Sequence, residues 1–141
     1  MSANSRLTVA IHILAYMVAA ARKRPDPVTS DQIAHSVATN PVVVRRLLGL
    51  LRRGGMVRSH RGAHAGWTLA RRPETIALLD VWRAVEEGPL FGLHASPPNP
   101  KCPIARGVQP ALKKVYGDLE DGVRRRLAKT TIARIYADTV G

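Results

Sequence analysis

The chain has 141 residues, and its 22 Lys and Arg outweigh 10 Asp and Glu to give a formal net charge of +12. That length accommodates one compact domain plus an extension without cross-links to hold it, and so basic a balance calls for a polyanionic partner, either nucleic acid or an anionic membrane surface. A single cysteine, Cys102, excludes an internal disulfide framework and any multi-cysteine zinc site, which suits a reducing, cytoplasmic location.

From Leu7 to Ala21 the chain is apolar nearly all round, with Leu7, Ile11, Leu14 and Val18 on one helical stripe and Val9, Ile13 and Tyr16 on another. The stretch has the outward look of a signal peptide. Against that, His12 and Tyr16 interrupt it, Arg22-Lys23-Arg24 follow at once, and it is too short to cross a bilayer. A buried first helix is expected, with no membrane partner; its second stripe needs a cover that another subunit can supply.

Pro25 and Pro27 end that helix. Thr29 with Gln32 reads as a capping box opening a short helix that carries Ile33, Ala34 and Val37. In Thr39-Asn40-Pro41, Asn40 can cap a second helix and Pro41 can take its first position, where the missing N–H costs nothing. This helix runs to about Arg53 and stops at Gly54-Gly55. Met56 to His60 and Trp67 to Ala70 read as two strands joined by a glycine-containing tip, Arg61 to Gly66. Pro73 ends the hairpin, and Leu78, Leu79, Val81, Trp82 and Val85 mark a third amphipathic helix stopping at Gly88. Ser96 to Pro100 is a proline-rich linker. From Ile104, apolar residues recur at Val108, Leu112, Val115, Leu119, Val123 and Leu127, the seam of a long helix that packs against a partner. Pro110 either kinks it or starts it. Thr130-Thr131 opens a closing helix through Ile132, Ile135 and Tyr136. The expected division is a DNA-binding domain over 1–88, a linker over 89–103 and a dimerisation region over 104–141.

Two short helices joined by a tight turn and followed by a hairpin have the order of a winged helix-turn-helix, so a mainly α fold with a two-stranded wing and a long C-terminal dimerisation helix is expected. The charge map gives the order meaning. Between Asp31 and Glu74 there is no acidic residue, while eight arginines fall there, supplying +8 of the +12. Each phosphate neutralised by an arginine releases a condensed cation, so an acid-free surface is what binding double-stranded DNA needs. On a helical wheel Val44, Leu47, Leu48 and Leu51 face inward, and Val42, Arg46, Gly49 and Arg53 face outward with Arg45 at the flank. Arg45 or Arg46 can pair with a guanine edge in the major groove, Val42 can touch a thymine methyl, and Gly49 allows close approach. Thr39 and Asn40 lie in the turn that enters this helix, and at the wing tip Arg61, with His64 as a weaker companion, can enter the minor groove.

No phosphate loop, HExxH or nucleophile with its base appears, and the five histidines have no metal-ligand spacing, so neither an enzyme nor a bound metal or cofactor is expected. The rival reading with the same charge is a nucleic-acid module that reads no sequence, either an architectural protein or an RNA-binding winged helix.

Leu51-Arg52-Arg53-Gly54-Gly55-Met56-Val57, the wing from Ser59 to Ala70, and the stretch from Ile76 to Gly88 carry a resemblance to the Rrf-two type of transcriptional regulators, which includes IscR, NsrR and CymR. Its most specific part is the wing, where Arg61-Gly62 is followed by small residues and Gly66-Trp67. The resemblance implies a homodimer with crossed long helices, each first helix contributing to the partner's core, an imperfect palindromic operator, and a wing arginine, here Arg61, in the minor groove; repression is the expected outcome. Iron–sulfur members carry three cysteines in the loop and start of the long helix, whereas this chain has Cys102 alone, and His12, where some relatives place another ligand, does not complete a set. Cys102, beside Lys101 and ahead of Pro103-Ile104 at a helix start, is instead a candidate redox sensor. An oxidant or a small molecule is the candidate effector, and Trp82 and Phe91 read as core aromatics rather than its binding site.

Overall fold

The computed structural model describes residues 3–86 and 88–141. It is mainly helical and divides into two units, Met1–Glu87 with Leu127–Gly141, and Gly88–Arg126.

In the first unit, α1 (Ala3–Lys23) turns Ala10, Ile13, Leu14, Met17 and Val18 into the core. This face takes residues from both stripes read in the sequence, because Ile13 and Leu14 lie only about 100° apart around the helix. Leu7, Val9, Ile11 and Tyr16 pack half-buried at its edges. The capping box that opens α2 (Ser30–Val37) is complete: Gln32 N–H donates to Thr29 Oγ1 at 3.1 Å and Thr29 N–H donates to Gln32 Oε1 at 2.9 Å. Ala38 ends α2 in the left-handed region at φ 60°, its N–H closing on Ala34. The chain thus reverses within three residues into α3 (Pro41–Arg53), where Asn40 Oδ1 accepts the Val42 N–H at 2.8 Å and Pro41 takes the first turn. A cap of this kind contributes about 1 kcal/mol.

Gly54 and Gly55, the latter at φ 76°, release the chain into β1 (Val57–His60). β1 pairs antiparallel with β2 (Gly66–Leu69) in the register Val57 to Leu69 and His60 to Gly66. Val28 adds a single antiparallel bridge to Trp67. That bridge explains Gly66: at φ 143° a Cβ there would lie 2.6 Å from the Val28 carbonyl oxygen. A turn at Pro73–Thr75 leads to α4 (Leu78–Val85), whose first turn is held by Ala77 N–H donating to Asp80 Oδ2 at 3.0 Å. Leu78, Val81 and Val85 close the core. The last helix, α6 (Ile132–Val140), opens on Thr131, which bridges Ala77, and packs on α1 with Ile132 buried.

The second unit is a loop from Gly88 followed by most of α5 (Pro103–Ala128). The helix starts at Pro103, so Pro110 lies inside it and does not open it. The loop is tied down by Leu90 N–H donating to Glu120 Oε1 at 2.6 Å and His94 N–H donating to Gln109 Oε1 at 3.1 Å. Phe91 is not a core residue: it is exposed and stacks on Tyr116 with centroids 4.9 Å apart. No residue of α5 is buried.

Candidate nucleic-acid interface

The interface starts from α3, whose two sides differ completely. Val44, Leu47, Leu48 and Leu51 are sealed in the core, so the rotation of the helix about its axis is fixed. The opposite side therefore presents Val42, Arg45, Arg46 and Arg53 to solvent, with Gly49 half-exposed between them. Nothing lies within 4 Å of where a Gly49 Cβ would project, so the backbone there is open to a groove. Asn40 is exposed, but its Oδ1 is engaged in the cap, and Thr39 is half-buried.

The wing carries Arg61, Gly62, Ala63, His64 and Ala65 at its tip, all exposed. Arg61 is extended, and Gly62 at φ 88° turns the chain into a single 3-10 turn ending at His64. Strand alternation places Val57 and Ser59 on one face of β1 and Arg58 and His60 on the other. On that second face His60 Nε2 and Thr68 Oγ1 share a hydrogen bond at 2.7 Å, beside the exposed Arg58.

Charge pairing sorts the eight arginines of the acid-free window. Arg71 pairs with Asp80 and Arg72 with Glu74, each at 3.6 Å, and Arg71 also donates to the Thr75 carbonyl. Among the described residues, Arg45, Arg46, Arg52, Arg53, Arg58 and Arg61 have no carboxylate partner. These six are carried by α3, β1 and the wing tip, and Arg52 Nη1 links α3 to the wing by donating to Ser59 Oγ at 3.3 Å. The outward face of the helical wheel and the wing tip leave out Arg52 and Arg58. The alternation of Arg58 with the apolar Val57 along β1 is the signal that would have found Arg58.

Cys102 is half-buried immediately before α5, its N–H donating to the Asn99 carbonyl at 3.2 Å and its carbonyl accepting from Arg106 at 3.0 Å. His12 is exposed and hydrogen bonded to Ser36 Oγ at 3.0 Å. Among the described residues no helix is long and apolar enough to cross a membrane.

A sequence profile of the Rrf2 family, described as iron-dependent transcriptional regulators, matches residues 3–138. The chain belongs to the Rrf2 family. YwnA of Bacillus subtilis, named as an HTH-type transcriptional regulator, is 39% identical over 130 residues, 92% of each chain. CymR of the same organism, also named as an HTH-type transcriptional regulator, is 28% identical over 129 residues, 91% of this chain and 86% of CymR. A crystal structure described as a DNA-binding protein superposes with a TM-score of 0.73 at 34% identity, covering 92% of this chain and 97% of that one. Oxidised CymR of Staphylococcus aureus shares the fold, with a TM-score of 0.67 at 23% identity over 96% of both chains. This Rrf2 protein is a winged helix-turn-helix, DNA-binding transcriptional regulator and not an enzyme.

The family description names iron, and the residues here do not fit an iron–sulfur cluster. Cys102 is the chain's one thiol. Among the described residues no three His, Cys, Asp or Glu side chains converge where a metal could sit. Two copies of the chain bring two thiolates to a cluster that takes four ligands, and His12, the histidine that could join them, is hydrogen bonded to Ser36.

Proposed function

We propose that the protein binds a specific palindromic operator as a homodimer and represses transcription from it in the cytoplasm. The observation that carries this reading is the set of six arginines on α3 and the wing that have no acidic partner among the described residues, on a helix whose opposite side is locked into the core. α3 occupies the major groove, with Arg46 or Arg45 on a guanine edge and Val42 against a thymine methyl. Thr39, Asn40 and Arg53 lie toward the phosphates around Gly49, and Arg61, with His64 beside it, enters the adjacent minor groove.

The second copy is called for by α5. A helix of 26 residues with none buried, and with Ile104, Val115 and Leu119 exposed by 76%, 52% and 49%, has an apolar side left open by its own chain, which supports cover by a second copy. Two-fold symmetry then places two copies of α3 on two half-sites, which makes the operator palindromic. Cys102, at the start of this helix, is the group through which an oxidant acts on the spacing of the half-sites. Intact-mass measurement under non-reducing conditions after mild peroxide tests that step: it is expected to show an oxidised thiol or a linked dimer, and an unmodified monomeric thiol contradicts it.

Selection of bound DNA from a random pool, followed by titration of the recovered duplex against an unrelated one, tests the whole reading. Preference for the recovered sequence is expected to be about 1,000-fold or more. Equal affinity for both duplexes would instead make the protein a non-specific architectural binder, and preference for RNA an RNA-binding winged helix.

A further inference from the structure

A cleft in the first unit, lined by none of the six arginines of α3 and the wing, lies between the last turns of α1, the end of β2, the Pro73–Thr75 turn and α6. Its volume is about 400 Å³, within the range of small-molecule sites. The room comes from small side chains: Ala21, Ala133 and Ala137 stand where larger residues would close it, and Val18, Leu69 and Val140 give it apolar walls.

Its polar end is cationic. The Arg22 guanidinium lies over the Tyr136 ring, 5.0 Å from the centroid, and has no carboxylate partner among the described residues. Glu74, the one acid in the lining, is already paired with Arg72 at 3.6 Å. The uncompensated charge at the cleft is therefore positive, and the aromatic ring holds the guanidinium in place while leaving its N–H groups to an incoming acceptor.

We infer that this cleft is a binding site for a small organic monoanion: a carboxylate that pairs with Arg22, carrying a branched or aromatic apolar body that fills the space beside Ala133, Ala137 and Leu69. Neither a neutral apolar molecule nor a cation matches both ends. Occupancy bears on the wing, because Leu69 is the last residue of β2, opposite Val57, where the wing leaves the core. That consequence rests on the DNA-binding reading; the site itself does not.

Calorimetric titration of the full chain, without DNA, with phenylacetate, isovalerate and the matching amide phenylacetamide tests the site. At least one acid is expected to bind saturably at millimolar concentration or below, and the amide about ten-fold more weakly or worse, the loss of a charge-assisted pair. Arg22→Gln, on the surface of α1, should weaken the acid by a similar factor, and Ala137→Trp should abolish binding by filling the cleft. The absence of saturable binding by either acid overturns the inference, as does binding that neither the amide nor Arg22→Gln weakens, and the latter comparison holds even if Ala137→Trp fails to fold. Anisotropy of labelled operator with and without saturating acid is a separate reading, in which an unchanged affinity overturns the coupling to the wing.

Discussion

α3 and α5 are both amphipathic helices with arginines in the last turn, and they come to order by opposite routes. α3 buries four aliphatic side chains inside its own chain, so its arginine side is aimed before any DNA arrives. α5 is twice as long, 26 residues against 13, and buries none. Its packing against the loop orients Phe91 and Tyr116 but leaves Ile104, Val115 and Leu119 in water. On the proposed function, one helix is a reading head finished within a single copy, and the other is half of a structure that a second copy completes, so affinity for a palindrome would depend on both.

The sharpest way to break the contrast is to hollow out the buried side of α3. Leu48→Ala should cost about 2–5 kcal/mol of unfolding free energy, measured by urea denaturation, because a fully buried leucine leaves a cavity. A matching Ile104→Ala in α5 should leave the stability of a dilute monomer nearly unchanged.

Leu119→Asp attacks α5 from its exposed side. It should raise the dimer dissociation constant about 100-fold, since an unpaired carboxylate at an interface costs several kcal/mol, and sedimentation at micromolar concentration should show monomers. A dimer that survives this change would separate α5 from the role given to it.

Arg46→Ala turns to the open side of α3. Operator affinity should fall about ten-fold or more, the value of a bidentate pair with a base, with the midpoint of unfolding unmoved. Smaller still is Asn40→Ala, which removes the cap of α3 and should cost about 1 kcal/mol of stability. The finest probe is Arg58→Ala, which should make the slope of log affinity against log salt shallower by about one unit for each phosphate that Arg58 neutralises.

The sequence was most legible where spacing and chemistry coincided. Thr29 with Gln32, Asn40 before Pro41, and Gly54-Gly55 marked the ends of α2 and α3, and the leucine side of α3 followed from the 3.6-residue period alone. Legibility fell where cover comes from several directions. On α1 the core face runs between the two stripes through Ala10 and Met17, so stripes drawn through the larger apolar residues mark its edges and miss its centre. Phe91 read as core by its chemistry, but it belongs to a loop that stacks it on Tyr116 at the surface. At the arginine surface, composition counted eight cations and could not tell that Arg71 and Arg72 are neutralised by Asp80 and Glu74 from outside the acid-free window. Ion pairing depends on the fold of the following turn, which charge counting along the chain does not contain.

The measurement closest to the central claim is selection of bound DNA from a random pool, performed in parallel with the unaltered protein, with Arg45→Ala and with Arg46→Ala. The unaltered protein should recover one palindrome, and at least one of the two variants should recover the same palindrome with discrimination relaxed at one symmetric base position in each half-site. Recovery of an identical motif by all three, or of no motif by any, would contradict the account of α3 as the element that reads the duplex.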